Sequence, residues 1–133
     1  MKSCHVFVLD DDLDLVDLLK RQIEQTPGHT MIGATSYADM LTKRDTILKC
    51  QIAFLDIDLG LKQPTGIEAH KWLRNNHFTG KKYFLTSHPS THPLVAQVIA
   101  GSFHGDGQVL SKPLNPSMLI SLIDQACGHP SEQ

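Results

Sequence analysis

The chain has 133 residues, one domain's worth and enough to bury a core, with 41% hydrophobic and 20% charged residues and a formal net charge of −2. Its 12 Lys and Arg are scattered, which argues against a basic nucleic-acid surface. No apolar run approaches membrane-spanning length, and the start Met1–Lys2–Ser3–Cys4 lacks a signal peptide's apolar middle, so an intracellular, cytoplasmic location is expected.

The first predicted strand, residues 5–9, is a short apolar run that ends abruptly in Asp10, Asp11 and Asp12. Residues 12–23 then have helical period, with Leu15, Val16, Leu19 and Ile23 on one stripe and acids crowding the first turn. Thr26–Pro27–Gly28 stops this helix, and a weaker strand follows over residues 30–35. A short helix is predicted over 37–48, with Met40, Leu41 and Ile47 as its apolar contacts. The central strand, 52–57, delivers Asp56, and the loop from Asp58 to Gly66 is too polar and broken for regular structure.

Thr65 is placed to cap a helix whose inward stripe is Ile67, His70 or the stem of Lys71, Trp72 and Leu73. A fourth strand, 82–87, finishes in Thr86 and Ser87, and a fourth helix runs over 94–100. After a glycine-rich loop, 101–107, a last strand at 108–111 runs into Lys112–Pro113, and a final amphipathic helix spans 116–126. Trp72 and Tyr83 read as core or half-buried residues. Five repetitions of strand then helix argue for a doubly wound α/β parallel sheet, because parallel neighbours need crossover helices.

Cys4, Cys50 and Cys127 are odd in number and show no metal-type spacing, so reduced, partly buried thiols are expected. Among eight histidines only His88 and His92 have a suggestive spacing, and with a proline after each the plainer reading is a polar loop.

Ligands of open α/β sheets collect beyond the carboxyl ends of the strands. The predicted strand ends carry Asp10 and Asp11, then Asp56, then Thr86, then Lys112. Clustered carboxylates repel one another, and a hard divalent cation such as Mg²⁺ resolves that conflict. Acids, an acceptor carboxylate, a hydroxyl and a cation together suit phosphoryl transfer, which needs charge neutralisation more than covalent help.

These motifs, in this order, resemble the receiver domain of bacterial two-component response regulators over about residues 4–127: Val8–Leu9–Asp10–Asp11–Asp12, Phe54–Leu55–Asp56, the helix-opening Gly66, Thr86 after an apolar strand, and Lys112–Pro113. The resemblance implies a flavodoxin-like fold of strand order 2-1-3-4-5, a single domain at 1–127 and a flexible tail at 128–133. It implies Asp56 as phosphoacceptor, Asp11 as a direct Mg²⁺ ligand, Asp10 acting largely through bound water, and the Asp58 backbone carbonyl completing the coordination with Asp56. Lys112 would pair with the phosphoryl group, and Thr86 would swing to hydrogen-bond it. The donor would be a sensor histidine kinase or a histidine phosphotransfer protein. A downstream protein or a second copy would be met through the face of the fourth and fifth predicted helices, with no direct contact to nucleic acid or membrane. A receiver catalyses its own phosphorylation and dephosphorylation and is not a turnover enzyme on an external substrate. The absence of an output segment after the last predicted helix fits a stand-alone receiver or a piece of a larger regulator.

The sequence departs from the family pattern in three ways. Gly60 stands where a proline is usual, in a loop about two residues longer than common. Val109 stands where the family places a switching aromatic, with Phe103 and His104 nearby but out of register. The segment from Ser87 to Gly107 is slightly long and rich in Pro and Gly. Asp58 and His88 are placed to line the pocket mouth and tune the phosphate's lifetime. Two other readings stay open: a dehalogenase-type phosphatase, with Asp56 as nucleophile and Asp58 as general acid/base, and a degenerate receiver that binds partners without accepting phosphate.

Overall fold

A computed structural model describes residues 3–60, 63–101 and 107–128. The elements run β1 (Cys4–Leu9), α1 (Leu13–Glu24), β2 (His29–Ala34), α2 (Tyr37–Thr42), α3 (Arg44–Ile47), β3 (Ile52–Asp56), α4 (Gly66–Asn75), β4 (Lys81–Thr86), α5 (Pro93–Ala100), β5 (Gln108–Ser111) and α6 (Pro116–Ala126). The five strands form one parallel sheet of order β2-β1-β3-β4-β5, the expected flavodoxin-like topology.

Alternation along the strands feeds two cores, one on each face of the sheet. Phe7, Leu9, Ala53, Leu55 and Phe84 point to the side covered by α2, α3, α4 and α5, where they meet Met40, Ile47, Ile67, Leu73, Val95 and Val98. Val6, Val8, Ile52, Phe54 and Leu85 point to the other side, where α1 and α6 bring Val16, Leu19, Ile23, Leu119 and Ile123. The apolar stripe anticipated for α1 is therefore its core face, although Leu15 is only partly buried.

Most expected boundaries move by a residue, and two differences have clear causes. The helix expected over 37–48 is two, because Lys43 departs from helical backbone (φ −113°, ψ 17°) between α2 and α3. In α4 it is His70, not Lys71, that turns inward: His70 is buried and stacks on Phe84, with ring centroids 5.2 Å apart. Thr65 occupies the N-cap of α4 but makes no side-chain cap hydrogen bond, whereas Asp12 caps α1 by accepting from Leu15 N–H. Trp72 and Tyr83 are half-buried, as expected. Phe103, His104 and, apart from Gly128, the tail at 128–133 lie outside the described residues.

The cysteine expectation is corrected. Cys4 and Cys127 are not free thiols but a disulfide, with Cα atoms 5.7 Å apart, joining the start of β1 to the residue that follows α6. Their separation of 123 residues carries no local spacing signal, and only the return of α6 onto β1 brings them together. Cys50 alone is free; its thiol is buried, which pushes its pKa up to about 12. A crosslink closing so long a loop restricts the unfolded chain strongly. Reduction, or Cys127→Ser, is expected to lower stability by about 2–4 kcal/mol, read as a lower urea midpoint, while the same reductant leaves the Cys127→Ser midpoint unchanged.

Candidate functional site

The strand register brings four strand ends to one edge of the sheet. Leu9 is level with Leu55, Asp56 with Leu85, and Thr86 with Ser111, so Asp10, Asp56, Thr86 and Lys112 arrive together. Lys112 N–H donates to the Thr86 carbonyl at 2.8 Å, extending the β4–β5 ladder to the lysine itself. An open pocket of about 280 Å³ lies there, lined by Asp10, Asp11, Asp12, Asp56, Asp58, Gly60, Ser87, His88 and Lys112.

Asp10 is fully buried. Its Oδ1 accepts from Asp12 N–H at 2.9 Å, and its Oδ2 lies 2.6 Å from Lys112 Nζ. Lys112 Nζ also lies 3.4 Å from Asp56 Oδ2, so one ammonium is shared by two carboxylates. Burial alone would lower the lysine's pKa, but the hydrogen bond it donates to Asp10 and the charges of Asp56 and Asp10 outweigh it and raise it.

Asp56 is 5% exposed. Its carboxyl is pushed up to about 7, first by burial and then by the charge of Asp10, with Lys112 and the Asp58 N–H pulling the other way. Asp58 N–H approaches Asp56 Oδ1 at 3.4 Å.

Asp11 is exposed and free of the contacts that occupy Asp10. One oxygen from each of Asp10, Asp11 and Asp56 lies within 4.8 Å of the others. Three carboxylates against one lysine leave the pocket short of positive charge, and an all-oxygen donor set of this spacing fits Mg²⁺.

Thr86 is buried, and its Oγ1 accepts from His88 N–H at 2.9 Å, so its hydroxyl is engaged with its own loop. Asp58 is tied at both oxygens: Oδ1 accepts from Gly60 N–H at 3.0 Å, and Oδ2 lies 3.1 Å from His88 Nε2. The Gly60 N–H and His88 hold its carboxyl below the usual range.

The departures from the family pattern also acquire causes. Gly60 has φ +110°, a conformation closed to proline, so this loop follows its own path. Val109 is half-buried against the core on the α2–α5 side of the sheet, and is a packing residue at that position. Sequence reasoning did not foresee Asp12 as the residue whose N–H anchors Asp10; the signal was an N-cap residue directly after the acid pair. The suggestive spacing of His88 and His92 corresponds to two stacked rings, with centroids 3.9 Å apart.

No protein-family model and no curated protein matches the sequence. Solved structures do resemble this fold. A two-component response regulator from Clostridium difficile is 22% identical over 93% of this chain and 95% of its own, with a TM-score of 0.76. A CheY-like response regulator receiver domain protein from Methanospirillum hungatei JF-1 is 23% identical over 98% and 99%, with a TM-score of 0.70. The BeF3-activated receiver domain of DrrB, a Thermotoga maritima protein, is 18% identical over 93% and 97%, with a TM-score of 0.74. The chain has the receiver-domain fold of response regulators, with an acidic pocket at the carboxyl edge of its sheet.

Proposed function

We propose that this chain is a Mg²⁺-dependent phosphoacceptor switch, with Asp56 as the acceptor. The observation that carries this reading is the convergence of Asp10, Asp11, Asp56 and Lys112 from three strand ends into one pocket. An Asp56 carboxylate oxygen attacks the phosphorus of a phosphohistidine. The P–N bond breaks, its electron pair leaves on the donor's imidazole nitrogen, which takes a proton from solvent, and an acyl phosphate is left on Asp56. The donor is a sensor histidine kinase or a histidine phosphotransfer protein, and the reading carries a cytoplasmic location with it. The chain acts on itself and does not turn over an external substrate.

Asp11, Asp56 and the Asp58 carbonyl would hold the metal. Asp10, with both oxygens already engaged, would contribute through water. Mg²⁺ held there would supply neutralisation of charge on the phosphoryl oxygens. Lys112, already beside Asp56, pairs with a phosphoryl oxygen. Thr86 leaves the His88 N–H and turns its hydroxyl to the phosphoryl group, so the β4–α5 loop moves only in the phosphorylated state. The Asp58–His88 pair at the mouth tunes the access of hydrolytic water. Output passes through the face of α5 and α6 to a protein target or a second copy.

The test is the intact mass of the chain after incubation with acetyl phosphate and Mg²⁺, beside an EDTA control. Addition of one phosphoryl group that EDTA prevents is the expected result. No added mass, together with no binding of beryllofluoride, would overturn the reading and leave a receiver fold that works by binding alone.

A further inference from the structure

The two histidines of the β4–α5 segment meet a third donor from elsewhere in the chain. Asp58, His88 and His92 each offer one ligand atom, all within 4.8 Å of one another. Asp58 Oδ2 and His88 Nε2 are 3.1 Å apart, and the imidazoles of His88 and His92 stack with centroids 3.9 Å apart. The His88 and Asp58 side chains are 34% and 37% exposed, so the cluster is open to an incoming ion. We propose that Asp58, His88 and His92 form a binding site for a borderline transition-metal cation of the Zn²⁺ class, at the rim of the acidic pocket and separate from its all-oxygen donor set.

The donor chemistry makes the choice of ion. Two imidazole nitrogens and one carboxylate suit Zn²⁺, Ni²⁺ or Cu²⁺, whereas Mg²⁺ prefers oxygens alone. Ligands on a tetrahedral ion at bond lengths of about 2.1 Å stand about 3.4 Å apart. Asp58 Oδ2 and His88 Nε2, at 3.1 Å, are close to that separation, and His92 offers its ligand atom within 4.8 Å of both. Both fixed members are anchored from behind. Gly60 N–H holds the other Asp58 oxygen, and the His88 backbone N–H holds Thr86.

His92 also caps α5, because Leu94 N–H donates to its Nδ1 at 3.2 Å. A metal on Nδ1 takes the lone pair that the cap uses. A metal on Nε2 leaves the proton on Nδ1, with the same result. Loading the site therefore costs the Leu94 N–H its acceptor by either route, which gives a readout at the start of α5. The site stands whether or not Asp56 accepts a phosphoryl group.

The test is titration of the whole chain with Zn²⁺ in excess Mg²⁺, which occupies the acidic pocket, competed against a zinc-binding dye, with parallel amide NMR spectra. One equivalent is expected to bind, weakened at least tenfold by His92→Gln and by Asp58→Asn, with the Leu94 amide resonance moving on loading. Asp11→Asn, which removes a donor from the acidic pocket, is expected to change the affinity less than twofold. Binding by His92→Gln equal to the parent would overturn the proposal. So would loss of binding in Asp11→Asn, which would put the ion in the acidic pocket. Folding of each variant is checked by its amide spectrum, and the two ligand variants lie on separate loops, so either suffices.

Discussion

Asp56→Asn is expected to abolish phosphoryl addition from acetyl phosphate completely while making the metal-free protein more stable at neutral pH. The two effects share one cause. Asp56 is a buried carboxyl beside buried Asp10, and its folded pKa is raised from 3.8 to about 7. In that window the folded state holds a proton that the unfolded state has released, so stability falls as pH rises from about 4 to about 7. The loss on ionising Asp56 amounts to as much as about 4 kcal/mol. An amide of the same shape carries no charge. The variant should therefore lack this slope, match the parent below about pH 4 and exceed it near pH 8. Urea midpoints across pH in EDTA measure the effect. Added Mg²⁺ should raise the parent's midpoint and leave that of Asp56→Asn nearly unmoved, since a ligand stabilises only the state that binds it. A parent whose stability is flat between pH 4 and 7 would show that Asp56 titrates normally.

Gly66→Ala is the second large effect. A Cβ at Gly66 would overlap the carbonyl oxygen of Asp56 and lie 2.9 Å from its carbonyl carbon and 3.1 Å from Ile57 Cα. These are backbone atoms, so no side chain can rotate away. The Gly66 N–H is meanwhile pinned to the Ile57 carbonyl at 2.9 Å. Either α4 retreats or the end of β3 shifts, and Asp56 moves with β3. Overpacking of this kind costs about 1–3 kcal/mol, and misplacing an attacking group by about 1 Å costs on the order of 10²-fold in rate. The urea midpoint and the rate of mass addition should both fall. Thr65→Ala, one residue away and without a cap hydrogen bond to lose, should stay within about 0.5 kcal/mol of the parent. Equal behaviour of the two variants would mean that the close approach at Gly66 is not needed.

The elements read correctly from the sequence are those that periodicity and strand-end chemistry determine. A strand buried on both faces must be a continuous apolar run, so Val6–Phe7–Val8–Leu9 and Ile52–Ala53–Phe54–Leu55 stand out, and the polar residues that follow must lie at the sheet's edge. Asp10, Asp11, Asp56, Thr86 and Lys112 were legible for that reason, as was the strand order once the motifs pointed to a family. What tertiary structure alone decided depends on residues far apart in sequence meeting in space. The Cys4–Cys127 disulfide spans nearly the whole chain, and Asp58 reaches His88 across 30 residues. Neither pairing leaves a local trace, because each is made by where the sheet and its crossovers deliver the ends of separate loops and not by any property of the segments themselves. The same holds for Gly66, whose role as a helix opener was readable but whose necessity comes from the Asp56 carbonyl standing where a Cβ would lie.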